Sequence, residues 1–104
     1  MDIFIKKDAF NRILSGSKTI ETRKYKGIFH NISEGMVINF INNNSVISAS
    51  INKIQVYDNI EQLLTCIDIS KVGNNINIIK YKNILDKCYD SFAGNMITFE
   101  FTLI

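Results

Sequence analysis

Lys18, Glu21, Arg23, Lys24 and Lys26 crowd into the stretch SGSKTIETRKYKG, residues 15–27, directly after Gly16. Four cations around one carboxylate suit a site for something anionic. The same residues also fit a solvated strand in which Glu21 and Arg23 form an ion pair of purely structural value. If the segment is a reaction centre, Lys18 serves as an activated amine or electrostatic stabiliser and Glu21 as the acid/base. Each role needs a pKa tuned by burial and neighbours. Gly16 taken alone reads as a helix C-cap, and it also leaves room for a ligand to approach the backbone.

An ideal strand would put Lys18, Ile20 and Thr22 on one face and Thr19, Glu21 and Arg23 on the other. Convergence of Lys18, Glu21 and Arg23 on one concave site therefore requires a bulge or bend between residues 18 and 23. Ile20 is expected to point into the core or a barrel. Lys18 would then lie near the barrel mouth, where a buried ammonium needs a partner. Thr19 or Thr22 could bring a hydroxyl to such a site. Tyr25 and Phe29 flank the basic segment and could stack a base, as could Tyr57 and Phe92 near strand ends; each one alone reads more readily as an edge of the core.

The elements that must hold these residues follow from periodicity. Ile3 and Ile5 alternate with polar neighbours in a first strand, residues 2–6. Phe10, Ile13 and Leu14 follow helical spacing, with Asp8 as its cap. Residues 17–25 look extended. Met36–Ile41 and Val46–Tyr57 are β-branched strands joined at Asn42-Asn43-Asn44, a hairpin signal because Asn tolerates positive φ. Asp58 and Glu61 have capping-box spacing ahead of a helix carrying Leu63, Leu64 and Ile67. After Gly73-Asn74-Asn75, Tyr81, Ile84, Leu85 and Cys88 mark one face of another helix. Gly94-Asn95 turns into a closing strand with Ile97, Phe99, Phe101 and Leu103 on one face. The order β-α-β-β-β-α-α-β predicts one α+β domain over residues 1–104: a mostly antiparallel curved sheet or small barrel flanked by helices.

The chain has 104 residues, 46% hydrophobic and 21% charged, which suits a single globular core. No apolar run is long enough to span a membrane, and the mixed charges of MDIFIKKDAF fit neither a secretory nor a transit leader, so a soluble, cytoplasmic protein is expected. Residues 1–30 carry seven Lys/Arg against three acids, whereas residues 31–104 carry five Lys against seven. The positive field lies in the first third, where an anionic partner would bind; a solvated basic face is the plainer alternative. Cys66 and Cys88 fall on apolar helix faces and read as buried thiols. His30, the only histidine, reads as a surface or loop residue, without the companions a metal site needs. Neither GxxxxGK[ST] nor GxGxxG occurs, and no cofactor or metal is expected. The abundance of Ile and Asn and the absence of proline are consistent with an AT-rich genome, viral or bacterial.

The stretch ILSGSKTIETRKYKG, followed by ISEGMVINF, resembles the ASCH domain family of the PUA-like superfamily. The shared pattern is (I/L)xxGxKTxExR after the first helix, here Gly16, Lys18, Thr19, Glu21 and Arg23. A Gly-x-x-Ile-x-Phe strand follows at Gly35, Ile38 and Phe40, with Met36 where the family usually has Asp. Val56-Tyr57 then runs into Leu63-Leu64, and a tyrosine-bearing helix precedes the last strand. The resemblance implies a small PUA-like β-barrel flanked by helices, RNA binding, and a cleft lined by the GxKTxExR segment. It places Gly16, Lys18, Thr19, Glu21 and Arg23 at the ligand, with Lys24, Tyr25 and Lys26 beside them. RNA or a nucleoside is the expected partner, and a protein partner is the third option. One branch of the family deacetylates N4-acetylcytidine with the segment's lysine, a threonine three residues later and a glutamate before the last helix. Here Lys18 is present, but Glu21 stands at the threonine position and residues 73–77 hold no glutamate. Other members are described as ribonucleases.

Overall fold

The structure is a computed structural model that describes residues 1–89 and 93–104. Its elements follow the expected order: β1 (Asp2–Phe4), α1 (Lys7–Leu14), β2 (Ile20–Lys24), β3 (Val37–Asn42), β4 (Ser45–Tyr57), α2 (Ile60–Cys66), α3 (Ile78–Cys88) and β5 (Met96–Leu103), with 3-10 turns at Gly27–Asn31 and Ile69–Lys71. The strands form one curled sheet in the order β1-β3-β4-β5-β2. β1 pairs with β3 in parallel, and the other three pairings are antiparallel. The result is an α+β half-barrel. β1 and β2 remain at its two edges, and a side chain rather than a backbone ladder connects them: Arg23 Nη2 donates to the Phe4 carbonyl at 3.1 Å.

Alternation along the strands feeds two apolar layers. On one face, Ile3, Ile38, Phe40, Ile51, Phe99 and Phe101 bury against Phe10 and Ile13 of α1. On the other, Ile20, Tyr57 and Met96 bury against Ile60 and Leu63 of α2 and Tyr81 and Leu85 of α3. Ile20 is therefore a core residue, one of the two expected placements, and it faces the helices. β5 is central and covered on both sides, so Met96 through Phe99 are all buried, polar Thr98 included. The Asn43 turn of the hairpin sits at φ 52°, as the Asn run predicted.

Several local expectations shift. Asp8 does not cap α1; Lys6 occupies the cap position without a side-chain bond. Leu14 is exposed, because the buried stripe of this two-turn helix is completed by Phe10 and Ile13. Asn59, one residue beyond Asp58, caps α2 by accepting from the Gln62 N–H at 2.8 Å, while Gln62 Oε1 accepts from the Asp58 N–H. Cys66 and Cys88 are exposed, not buried: each is the last residue of its helix, past the end of its buried stripe. Phe92 lies outside the described residues.

Candidate functional site

The end of α1 sets the site. Gly16, at φ +85°, takes a left-handed conformation that L side chains rarely adopt. Its N–H donates to the Ile13 carbonyl and that of Ser17 to the Arg12 carbonyl, both at 3.0 Å, the paired bonds of a Schellman C-cap. Lys18 N–H also donates to the Arg12 carbonyl, at 3.1 Å, which fastens the lysine beneath the helix end. Thr19 then bonds through its backbone, donating to the Lys71 carbonyl and accepting from the Phe101 N–H. β2 begins only at Ile20.

That late start brings the charges together without a bulge. β2 pairs with β5 in unbroken register from Ile20 opposite Glu100 to Lys24 opposite Met96. Lys18 lies before the ladder, free of strict alternation. Its Nζ donates to the Ile20 carbonyl at 2.8 Å and lies 3.4 Å from Glu21 Oε1. Arg23 Nη2 meets the other carboxylate oxygen, Oε2, at 3.2 Å, and its guanidinium lies 5.6 Å from the Phe29 ring centre. Lys18 and Glu21 are both buried. Burial pushes the Glu21 carboxyl up, but Lys18, Arg23 and the Thr22 N–H together overcome it and hold it below the ordinary carboxylate value.

Thr22, on the opposite face of β2, also reaches the site because the strand is an edge. Its Oγ1 shares a hydrogen bond with the Tyr81 hydroxyl of α3, and Tyr89 Oη donates to its carbonyl at 3.0 Å. Burial, aided by the charge on Glu21, raises the Tyr81 phenol well above its ordinary pKa and pushes Tyr89 up to about 12. Both phenols therefore stay protonated at neutral pH.

These groups line one cleft of about 670 Å³ between the two sheet edges, α1 and α3. Lys18, Glu21, Thr22 and Arg23 share it with Phe4, Lys6, Asp8, Arg12, Tyr81, Lys87 and Tyr89. Five cationic side chains thus face two carboxylates. Gly16, Thr19, Lys24, Tyr25 and Lys26 do not line it. Gly16 and Thr19 build its frame. Lys24 lies at its border, 5.8 Å from the Tyr89 ring centre. Lys26 is exposed, and Tyr25 stacks on the exposed His30 ring at 4.4 Å. Phe29 packs on the core against Phe99, and Tyr57 is buried. Among the described residues, no cluster of His, Cys, Asp or Glu could hold a metal ion.

Several lining residues, among them Phe4, Arg12, Tyr81 and Tyr89, were not read from the sequence as site residues. Phe4 is 72% exposed on a strand whose alternation drew notice only to Ile3 and Ile5. Arg12 carries no sequence signal that separates it from other charges of a helix surface. Tyr81 carried a helical-face signal and Tyr89 lies just past that helix, but the half-polar character of tyrosine could have marked both as residues with a hydroxyl to place.

Solved structures share this architecture. Hypothetical protein PH0355 superposes with a TM-score of 0.85 at 20% identity, over 99% of this chain and 97% of that one. Protein PF0455 from Pyrococcus furiosus gives 0.73 at 19%, over 99% and 96%. ASCH from Zymomonas mobilis gives 0.72 at 15%, over 97% of this chain and 65% of that one. The chain has an ASCH-domain fold. No protein-family model matches the sequence, and no curated protein matches it closely enough to count as a relative. In this chain the GxKTxExR segment runs into the edge strand β2, which borders the cleft. Among the described residues, no helix is long and apolar enough to cross a membrane.

Proposed function

We propose that this ASCH-fold protein is a cytoplasmic RNA-binding module that takes an RNA or nucleoside ligand in the cleft beside Lys18, Glu21 and Arg23. The observation that carries the reading is the lining: five cations, one ionised and buried carboxylate, and the exposed Phe4 ring face a single volume. Cations suit phosphate, an aromatic ring suits a base, and a carboxylate suits a base amino group. Glu21 stays ionised, which favours an acceptor over a general acid. Titrating single-stranded RNA at several salt concentrations tests this. Contact with three or four phosphates should give a log–log salt slope of roughly −2 to −3, from about −0.7 per phosphate. No binding even at low salt would refute the reading and favour a protein partner.

A second reading, hydrolysis of a modified nucleoside or RNA, draws on Thr22, which lines the cleft with Lys18 while Thr19 does not. The Thr22 hydroxyl is already bonded to Tyr81, and residues 73–77 hold no glutamate, so little or no acetate release from N4-acetylcytidine is expected. Efficient release that is abolished by Lys18→Ala would establish the catalytic reading instead.

A further inference from the structure

We propose that Arg12 is the phosphate-holding residue of the cleft, and that the ligand carries a terminal phosphate monoester, as a free nucleotide or at an RNA end. The inference rests on the ligand reading above and narrows it. The other cations at the cleft centre already have partners. Lys18 is held by Glu21 and the Ile20 carbonyl, and Arg23 by Glu21 and the Phe4 carbonyl. Arg12 differs: its Nε is buried and makes no hydrogen bond, although the residue lines the cleft. Asp8, one turn earlier on the same helix, forms no ion pair with it.

Room for this arrangement comes from Gly73. A Cβ there would stand 2.8 Å from Arg12 Cδ and 3.1 Å from Nε, so the arginine stem lies where any larger residue would intrude. The Arg12 carbonyl receives the Lys18 N–H, so both cations are fixed by the same turn of backbone. A buried N–H without an acceptor is costly, and the planar guanidinium fork fits a phosphate through two parallel bonds. A monoester carries roughly −1.5 to −2 charge at neutral pH, which suits the cation surplus of the lining. A cleft of about 670 Å³ is in the range of small-molecule sites, and the exposed Phe4 ring offers a stacking surface for the base.

The test is calorimetric titration with cytidine, cytidine 5′-monophosphate, and one single-stranded RNA hexamer bearing either a 5′-hydroxyl or a 5′-phosphate. The wild type should bind the phosphorylated member of each pair about tenfold tighter or better. The tighter of the two phosphorylated ligands identifies the source of the phosphate. Arg12→Gln should bring the two members of each pair within about threefold of one another. Lys7→Gln, the same loss of charge on α1 outside the cleft, should keep the preference. Gly73→Ala keeps every charge but drives a methyl into the Arg12 stem, so it should also lower the preference and covers the case in which Arg12→Gln fails to fold. RNA binding that ignores the phosphate, or a preference untouched in both variants, would overturn the Arg12 assignment and leave the cleft reading standing. Absence of binding by all four ligands would overturn both.

Discussion

Two Lys–Glu pairs brace β2 and its neighbours, and they differ in everything except residue type. Lys18–Glu21 is buried, with side-chain exposures of 6% and 10%, and Arg23 occupies the second carboxylate oxygen. Lys71–Glu100 lies at the same end of that seam, Glu100 standing opposite Ile20, but with exposures of 42% and 21% and no further cation among the described residues. Water screens the outer pair, so it acts as a clasp between the turn before α3 and β5. The inner pair is desolvated, and removing one member leaves the others without compensation. An ion pair is therefore weak evidence of function by its chemistry alone. Its burial at the wall of a cleft, with an extra cation attached, distinguishes a site from a clasp.

Substitutions sharpen the contrast. Glu21→Ala, which strands Lys18, should destabilise the fold by about 3 kcal/mol in chemical denaturation. A loss under about 1 kcal/mol would show that water reaches the pair, and would erase the distinction. The inner pair should also set the acid limb of stability. The folded pKa of Glu21 lies below its ordinary 4.5, so its contribution is complete above that value and disappears as pH falls through the folded pKa. Denaturation midpoints measured across pH 2–6 should thus fall less steeply for Glu21→Gln than for wild type. Next in size, Lys24→Ala with Lys26→Ala should weaken RNA binding to all sequences and flatten the salt slope by about 1, since both residues sit outside the cleft lining. The smallest effect is expected at the clasp: Glu100→Ala should hardly move the thermal midpoint and should leave RNA affinity unchanged.

Much of the fold was legible because its signals are local. The Asn run specified the β3–β4 hairpin, Gly16 specified the C-cap of α1, alternation marked β1 and β5, and β-branched residues marked β3 and β4. What escaped the sequence depends on tertiary neighbours. Lys18 and Glu21 share a cleft because β2 starts at Ile20 and lies at the sheet edge, and strand periodicity reveals neither fact. Phe4 and Arg12 become lining residues only once β1 and α1 stand beside α3. Leu14, Cys66 and Cys88 fit apolar helical spacing yet ended exposed, because short helices run past the layer they cover.

The central claim is that the cleft, and not the outer basic residues, receives the ligand. Amide chemical shifts recorded during titration with single-stranded RNA at low salt test it most directly. The account predicts perturbations concentrated at Phe4, Arg12 and residues 18–23 and extending to Tyr81 and Tyr89. Perturbations confined to residues 24–30, with the cleft amides unmoved, would contradict it.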